Sequence, residues 1–412
     1  MTRFLAYTSP ARGHLYPLVP TLIELRRRGH EVAVRTLSSE VGLMRGLGFD
    51  AAPIDPAIEA RQIDDWRAKT PIGALRLSLA GFFDRARYDG PDLRRAVEEE
   101  RPDAVLVDIN TWGAAAAASV DKLPWASWCP YFLPLPSRDA PPFGPGFAPA
   151  GGPAGRVRDR LAGSLLTRFW NGAVPDLNQV RRVLGAAPLA SVADGLREPP
   201  LTLYLTAEPF EYHHSDWPDT IVMTGPGVWD PPADPPEWLV EIAKPLVLVT
   251  CSTEFQDDGK LVATALKALK DEEVRVVATT AGVDPAQCSA PPNARVERFV
   301  PHGPLVERAA CVVCHGGMGI TQKALTAGVP VCVVPFGRDQ LEVARRVDLA
   351  RAGTRLPAPR LSPGRLRRAV LGAIARRGGA ARLADAFARA GGPAAAADAL
   401  ERTCDRQPSA AL

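Results

Sequence analysis

The chain has 412 residues, enough for two or three domains with sizeable hydrophobic cores. With 49 Lys and Arg against 46 Asp and Glu, its net charge of +3 excludes nucleic acid or an anionic membrane surface as the main partner. No segment approaches the roughly 18 consecutive apolar residues that span a bilayer, and the apolar stretch before Pro10 is too short for a signal peptide. Seven cysteines, a small and odd number, disfavour a disulfide framework and predict a reducing, cytoplasmic location.

The first 110 residues alternate strand and helix patterns. Short apolar runs predict strands at 3–8, 32–36 and 104–107. Leucines recur at helical spacing between the first two strands, and Gly29 follows them as a C-cap glycine. An alanine-rich helix is predicted over 112–119, after the third strand. Strand, helix, strand units of this kind build a parallel sheet with helices on its faces.

A second set of strand and helix patterns begins near residue 244, after a proline-rich segment over 226–243. Proline continues neither a helix nor a central strand, so this segment is predicted to be a stiff linker. Beyond it, apolar runs predict strands at 245–250, 274–279, 296–300, 309–314 and 331–334, with helices over 259–270 and 321–327. The sequence therefore predicts two α/β halves joined by a linker.

Aromatic residues are concentrated in the first half: of 27 Phe, Trp and Tyr residues, only four follow Lys244. Two interpretations remain open, a larger core in that half or a pocket for a bulky apolar ligand, because such pockets are lined by aromatic side chains. The pocket walls are expected on loops, roughly 57–90 and 131–168. The candidate pocket residues are Trp66, Phe82, Phe83, Trp112 and Phe132.

Two polar residues of the first half follow predicted strands. His14 is expected on the loop after the first strand, and Asp108 ends the strand over 104–107. Because ligands bind beyond the carboxyl ends of parallel strands, both side chains are expected to face one crevice. A carboxylate on one imidazole nitrogen fixes the tautomer and leaves the other nitrogen able to take a proton. The pair is therefore a candidate general base, although a lone loop histidine is more often a surface or capping residue.

The second half has a glycine-rich turn where the strand over 309–314 ends. His315 is followed by Gly316, Gly317 and Gly319, and such glycines let backbone N–H groups approach an anion closely. The pattern is neither a dinucleotide fingerprint nor a P-loop. One strand later, Asp339 and Gln340 open the next helix, where they either bind vicinal hydroxyls or cap the helix.

In this order, these motifs resemble the nucleotide-sugar-dependent glycosyltransferases of the GT-B fold, above all the bacterial enzymes that glycosylate macrolides, polyketides and other natural products. The resemblance covers nearly the whole chain and is strongest over 245–350. The motifs that carry it are Gly13-His14 before a leucine-rich helix that ends in Arg28-Gly29-His30-Glu31-Val32, Val300-Pro301-His302, His315-Gly316-Gly317-x-Gly319, Ala327-Gly328-Val329-Pro330, and Pro335 with Asp339-Gln340.

The resemblance implies two Rossmann-like, doubly wound α/β domains that face each other across a cleft. It implies an N-terminal acceptor-binding domain over 1–225, the linker over 226–243 and a nucleotide-sugar-binding domain over 244–390. The remaining 391–412 would hold a helix that crosses back to the first domain, and a tail.

The resemblance also implies roles for single residues. His14 would be the general base that deprotonates the acceptor, with Asp108 orienting it. Residues implied to bind the donor are Ser252, Thr253, Val300, His302, His315, Gly316, Gly317, Gly319, Thr321, Asp339 and Gln340. The reaction would be a single inverting displacement, with a UDP- or TDP-sugar and a small apolar aglycone as ligands, the acceptor atom being a hydroxyl oxygen or a nitrogen. No cofactor and no metal are expected, since the sequence has no Asp-x-Asp motif.

Two positions depart from the family pattern. Ile320 stands where Ser or Thr usually follows the last glycine, and Thr321 is the nearest hydroxyl that would replace it. Cys251 stands where the first loop of the second half usually has glycine. We expect this cysteine to alter the phosphate loop locally without abolishing donor binding.

Three other classes of protein compete with this interpretation. A nucleotide-sugar epimerase with the same fold would not need the aromatic-rich first half. A non-catalytic nucleotide-sugar sensor, or an activator of a partner transferase, would not need His14 and Asp108. A dehydrogenase is the weakest alternative, because neither half has a full glycine fingerprint.

Overall fold

Two parallel β-sheets, each covered by helices, organise the chain in a computed structural model that describes residues 1–68, 70–121, 123–252, 259–280 and 284–406. The strands are β1 (Arg3–Tyr7), β2 (Glu31–Thr36), β3 (Asp50–Pro53), β4 (Ala104–Asp108), β5 (Trp125–Cys129), β6 (Thr202–Tyr204), β7 (Ile221–Met223), β8 (Leu246–Thr250), β9 (Arg275–Thr279), β10 (Ala294–Glu297), β11 (Ala309–Cys314), β12 (Val331–Val333) and β13 (Gly353–Arg355).

The described α-helices are α1 (Arg12–Arg27), α2 (Val41–Gly46), α3 (Pro56–Glu59), α4 (Pro71–Glu100), α5 (Trp112–Val120), α6 (Pro153–Asn171), α7 (Val174–Leu184), α8 (Val192–Arg197), α9 (Gly259–Leu269), α10 (His302–Glu307), α11 (Met318–Thr326), α12 (Gln340–Leu349), α13 (Pro363–Ile374), α14 (Arg377–Arg389) and α15 (Gly392–Arg406). Short 3₁₀ turns lie at Ser38–Glu40, Asp65–Arg67, Glu237–Leu239, Pro285–Gln287 and Ala358–Arg360. Among these helices, none combines the length and the apolar character needed to cross a membrane.

The first sheet has the strand order β3-β2-β1-β4-β5-β6-β7. We call this sheet and the helices that cover it the N-lobe. Each strand pair is parallel, and β1 lies between β2 and β4 with Phe4 opposite Val32 and Ala104. Strands β4 and β5 are buried along their whole length because helices cover both faces of the sheet. The carboxyl ends of β1 and β4 are therefore neighbours at one edge.

Helix α1 carries the apolar stripe predicted from its leucines. Leu15, Leu18, Leu22 and Leu25 are fully buried against the sheet. Helix α15 packs beside α1 on the N-lobe, and its Ala396, Ala397 and Leu400 belong to the same hydrophobic cluster. Arg28 at the end of α1 pairs with Glu401 of α15 at 2.8 Å. The last described helix thus completes the core of the first lobe.

The two regions expected to be loops around an acceptor pocket both contain long helices. Helix α4 runs through most of 57–90 and continues to Glu100, and α6 occupies much of 131–168. Helix α4 packs so closely on α5 that a Cβ on Gly113 would lie 1.9 Å from the carbonyl oxygen of Ala86. Asp89 of α4 accepts the backbone N–H of Ala114 at 2.7 Å and so caps the first turn of α5.

The second sheet, the core of the C-lobe, has the order β10-β9-β8-β11-β12-β13, again with parallel pairs. Strands β8 and β11 lie at its centre and are almost wholly buried. Val313 and Cys314 at the end of β11 lie opposite Cys332 and Val333 of β12. The loops that follow β11 and β12 therefore lie side by side.

A buried ion cluster joins the two lobes, and we call Glu211, Glu342 and Arg346 the interlobe cluster. Arg346 of α12 donates to Glu211 of the N-lobe at 2.6 Å and to Glu342 at 2.7 Å. Its guanidinium lies between the rings of Phe132 and Tyr212, 3.9 and 4.0 Å from their centroids. Burial raises the pKa of Glu211, but the charge of Arg346 together with hydrogen bonds from His214 and Tyr204 outweighs this effect and lowers the pKa below its ordinary value. The cluster therefore holds the lobes in one relative orientation.

Candidate active site

His14 and Asp108 meet at the edge of the N-lobe sheet. Nδ1 of His14 lies 2.9 Å from Oδ1 and 3.0 Å from Oδ2 of Asp108. His14 was expected on the loop after β1, but it lies in the first turn of α1, where the helix fixes its direction. Trp128 also holds this turn, since its indole N–H donates to the carbonyl oxygen of His14 at 3.2 Å.

Asp108 is fully buried and surrounded by donors. Besides His14, its carboxylate accepts the backbone N–H and hydroxyl of Ser9 at 3.1 and 2.8 Å and the backbone N–H of Asn110 at 2.9 Å. Burial alone would raise the pKa of Asp108, but the charge of protonated His14 and these hydrogen bonds outweigh it and lower the pKa. An ionised carboxylate only accepts, so Nδ1 of His14 carries its hydrogen and Nε2 has the lone pair.

Asn110 contacts Nε2 of His14, although it was not among the residues predicted from the sequence. Its Nδ2 lies 3.2 Å from Nε2 of His14, to which it donates. The hydroxyl of Tyr131 donates to Oδ1 of Asn110 at 2.8 Å and so fixes which way the amide points. Its position two residues after Asp108 is the one signal that a sequence analysis had for it.

The glycine-rich turn follows β11 on the C-lobe. Gly316 has a φ of +99°, a left-handed conformation that favours glycine, and a Cβ there would lie 2.7 Å from Val333. A Cβ on Gly317 would lie 2.6 Å from Nε2 of His315, so the ring packs directly over this backbone. Gly317 is the N-cap of α11, and Gly319 in the first turn is exposed. The first N–H groups of α11 have no acceptor within the helix, which is the arrangement that binds anions at helix N-termini.

Two donor-site candidates near this turn, His315 and Thr321, are buried in the C-lobe. Burial and the nearby charge of Arg338 lower the pKa of His315 to about 4, so its imidazole is neutral near pH 7. The expectation that Thr321 supplies a phosphate-binding hydroxyl is wrong: its side chain is fully buried and contacts Sγ of Cys314 at 3.7 Å. Ile320, which stands in place of the usual hydroxyl residue, packs against the core of the C-lobe.

The loop between β12 and α12 holds the next two candidates. Asp339 is partly buried, and this burial raises its pKa to about 6, against the effect of Arg338 and protonated His14 nearby. Asp339 is thus within electrostatic reach of the N-lobe histidine. Gln340 is buried, and its Oε1 accepts the backbone N–H groups of Phe336 and Gly337 at 2.7 and 3.0 Å. That oxygen braces the loop that presents Asp339.

The remaining donor-site candidates lie at the ends of other C-lobe strands. Ser252 follows β8 and is buried, whereas Thr253 lies outside the described residues. Val300 is buried, and Nε2 of His302 lies 3.1 Å from Oγ1 of Thr279 at the end of β9. Burial and then the charge of Lys323 lower the pKa of His302 to about 4.

The aromatic candidates separate into different environments. The rings of Phe83 and Trp112 contact edge to face, with centroids 6.0 Å apart. Trp112 follows Asn110 by two residues along the chain. Phe82 is half-buried, and the side chain of Trp66 lies outside the part of the chain that the structure describes. The expectation that Phe132 lines a pocket is wrong: it has no exposed surface and packs between Phe210 and Arg346 in the core.

The sequence is similar to that of named proteins along most of the chain. Residues 261–402 match the family of the erythromycin biosynthesis protein CIII-like C-terminal domain. The chain is 32% identical to 4'-demethylrebeccamycin synthase of Lentzea aerocolonigenes, over 93% of this chain and 95% of that protein. It is 31% identical to UDP-glycosyltransferase 2 of Phaeomoniella chlamydospora, over 88% and 86% of the two chains.

Solved structures agree on the fold. The glycotransferase of kitacinnamycin superposes with a TM-score of 0.76 at 24% identity, covering 98% of both chains. The glycosyltransferase VinC, solved in complex with dTDP, superposes with a TM-score of 0.71 at 23% identity, covering 98% of this chain and all of that one.

Two parallel-sheet lobes that face each other in this way form the GT-B fold, and the chain is a glycosyltransferase. Its similarity along nearly its whole length is more specific than the fold. The chain belongs to the nucleotide-sugar-dependent glycosyltransferases of the bacterial natural-product type.

Proposed function

We propose that this enzyme transfers a sugar from a UDP- or TDP-sugar to a hydroxyl or nitrogen of a small apolar aglycone, with inversion at the anomeric carbon. The observation that carries the proposal is the contact of His14 with the buried Asp108 on one lobe, within electrostatic reach of Asp339 on the other. In this proposal, the base and a polar group that binds the sugar lie on opposite sides of one cleft.

In this mechanism, Nε2 of His14 takes the proton of the acceptor hydroxyl. The acceptor oxygen attacks the anomeric carbon, the bond from that carbon to the diphosphate oxygen breaks, and the nucleoside diphosphate leaves from the opposite face. Asp108 stays ionised and stabilises the imidazolium that forms. The backbone N–H groups at the start of α11 offset the charge of the leaving diphosphate, so no metal is needed.

Each lobe would bind one ligand. We assign the acceptor to the N-lobe, residues 1–225, where the ring of Tyr131 lies 5.5 Å from that of His14, centroid to centroid. We assign the donor to residues 244–390, where the turn at 315–319 and Asp339 lie at adjacent strand ends. The linker over 226–243 would join the two sites. The dTDP in the VinC structure supports a nucleoside diphosphate as the donor's leaving group.

A donor scan tests the proposal directly. We expect calorimetry to show saturable binding of UDP or TDP without added divalent cations, and EDTA to leave it unchanged. Turnover of the matching sugar nucleotide on a panel of phenolic and amine aglycones should then give a product of inverted anomeric configuration, read by NMR coupling constants. A product with retained configuration would contradict the single displacement.

Asp339 gives a prediction for sugar recognition. Replacing Asp339 by Ala is expected to raise KM for the nucleotide sugar about tenfold and to leave the Kd for free UDP or TDP nearly unchanged, because the carboxylate would bind sugar hydroxyls. In the wild type, KM should also rise as pH falls through about 6, where Asp339 becomes protonated. Gln340→Ala should raise KM in the same way by loosening the loop. Equal loss of nucleotide affinity would show that the sugar lies elsewhere.

Asn110 gives a prediction for the acceptor side. Nε2 of His14 has a single lone pair, so the Asn110 amide that donates to it holds the ring in the free enzyme and is replaced there by the acceptor hydroxyl. Asn110→Ala is expected to lower kcat about tenfold, and Tyr131→Phe, which removes only the hydrogen bond to Oδ1, should lower it less. Donor KM should not change in either variant. Unchanged kcat in both variants would remove Asn110 from the acceptor site.

A further inference from the structure

A bidentate ion pair crosses from the donor lobe to the acceptor lobe. Nε and Nη2 of Arg338 each donate to a different carboxylate oxygen of Asp65, both at 2.8 Å. Asp65 opens the 3₁₀ turn that precedes α4, and its side chain is 5% exposed, whereas that of Arg338 is 30% exposed. The guanidinium is thus held by the N-lobe but is still accessible.

The backbone presents Arg338 in an unusual way. Its φ is +52°, the left-handed region that side chains other than glycine rarely adopt. Such strain persists where the surrounding structure fixes it, and it is concentrated at functional sites. Gln340 fixes this loop by accepting the N–H groups of Phe336 and Gly337. The strain therefore places the Arg338 side chain at a set position above the carboxyl end of β12.

The loop that carries Arg338 lies next to the glycine-rich turn. The N–H of Val334 donates to the carbonyl oxygen of Cys314 at 2.9 Å, so the loops after β11 and β12 run side by side. A Cβ on Gly316 would lie 3.3 Å from Cβ of Gln340. The positive charge of the Arg338 guanidinium lowers the pKa of His315. Arg338 is thus a cation beside the turn assigned to the diphosphate.

We propose that Arg338 is a donor-binding residue whose guanidinium moves from Asp65 to the phosphates of the nucleotide sugar. This inference rests on the proposed function, since it assumes a diphosphate at the turn over 315–319. A carboxylate and a phosphate both match the two parallel N–H groups of arginine, so Asp65 and the donor compete for one cation. Donor binding thereby releases the segment of the acceptor lobe that carries Asp65, and the two binding sites are coupled.

Calorimetric titration of UDP and TDP into four variants tests this role. Arg338→Gln is expected to weaken binding about tenfold, and Arg338→Lys less, because lysine keeps the charge but not the paired N–H groups. Asp65→Asn should tighten binding about two- to fivefold, because it removes the competing charge. Arg367→Gln, which breaks a pair with Glu272 on the same lobe, is the matched control and should leave the Kd unchanged.

Arg338→Gln and Asp65→Asn are expected to change the nucleotide Kd in opposite directions, and this difference distinguishes donor binding from a purely structural role. If the ion pair only held the lobes together, Asp65→Asn and Arg338→Gln would weaken nucleotide binding alike, and that result would overturn the inference. Thermal unfolding of each variant shows that the folded state is being compared. A wild type that bound neither UDP nor TDP would instead overturn the proposed donor class, and the role of Arg338 with it.

Discussion

Replacing His14 by Ala is expected to lower kcat/KM for an alcohol acceptor by about 10²- to 10⁴-fold, the usual contribution of general-base catalysis. The imidazole has a tautomer fixed by Asp108, and its Nε2 lies beside a second polar group, the amide of Asn110. Because Asp108 orients and stabilises the ring, Asp108→Asn should lower turnover about 10²-fold or more while the donor Kd stays constant.

Steady-state rates with a phenolic acceptor at saturating donor measure this effect. His213→Ala is the matched control, since His213 is a surface histidine of the same lobe whose side chain is 73% exposed. Its activity should equal that of the wild type. If His14→Ala turned over at a near-normal rate, His14 would not be the base, and the acceptor would have to be deprotonated by another group.

Replacing Arg346 by Ala is expected to reduce the free energy of unfolding by about 3–5 kcal/mol, the cost of leaving a buried charge without its partner. Glu211 and Glu342 would then be two buried carboxylates close together, and the space between the rings of Phe132 and Tyr212 would be vacant. Because Glu211 belongs to one lobe and Arg346 to the other, the loss should also loosen the cleft.

Denaturant unfolding followed by tryptophan fluorescence measures the change. Arg27→Ala is the control: Arg27 is exposed and pairs with Glu24, and its loss should leave the free energy of unfolding nearly unchanged. Removing the charges together, as in Glu211→Gln with Arg346→Met, should recover part of the stability because no unpaired charge remains at Glu211. A single Arg346→Ala variant as stable as Arg27→Ala would show that the cluster does not hold the lobes.

The sequence was sufficient to predict the fold class, and the comparisons confirm it. Apolar runs as short as 309–314 correspond to strands that are buried on both faces, where hydrophobicity alone determines the pattern. The contact of His14 with Asp108 also agrees with the expected crevice, because the carboxyl ends of β1 and β4 are neighbours in one sheet. The proximity of residues that follow neighbouring parallel strands could thus be predicted from the sequence.

Other features could not be predicted because they depend on tertiary contacts. Helix α4 contains Gly81, Gly90 and Pro91, which oppose helix formation, yet Gly90 lies so close to Leu184 that a Cβ would be 2.7 Å from its Cδ1. Thr321 is one residue from the expected hydroxyl position, but that step of about 100° turns it into the core. The pairing of Arg338 with Asp65 joins residues 273 positions apart, which no local pattern indicates.

The packing of α15 on α1 has a consequence for how the protein is made and recombined. The ribosome completes β1 to β7 long before α15 emerges, so the apolar strip that Ala396, Ala397 and Leu400 cover is exposed to solvent until α15 has been made. A hybrid enzyme assembled by exchanging halves at the linker would pair this strip with the counterpart of α15 from another enzyme. Grafts that keep 392–406 with its native partner α1 should therefore yield more soluble hybrids than a single crossover does.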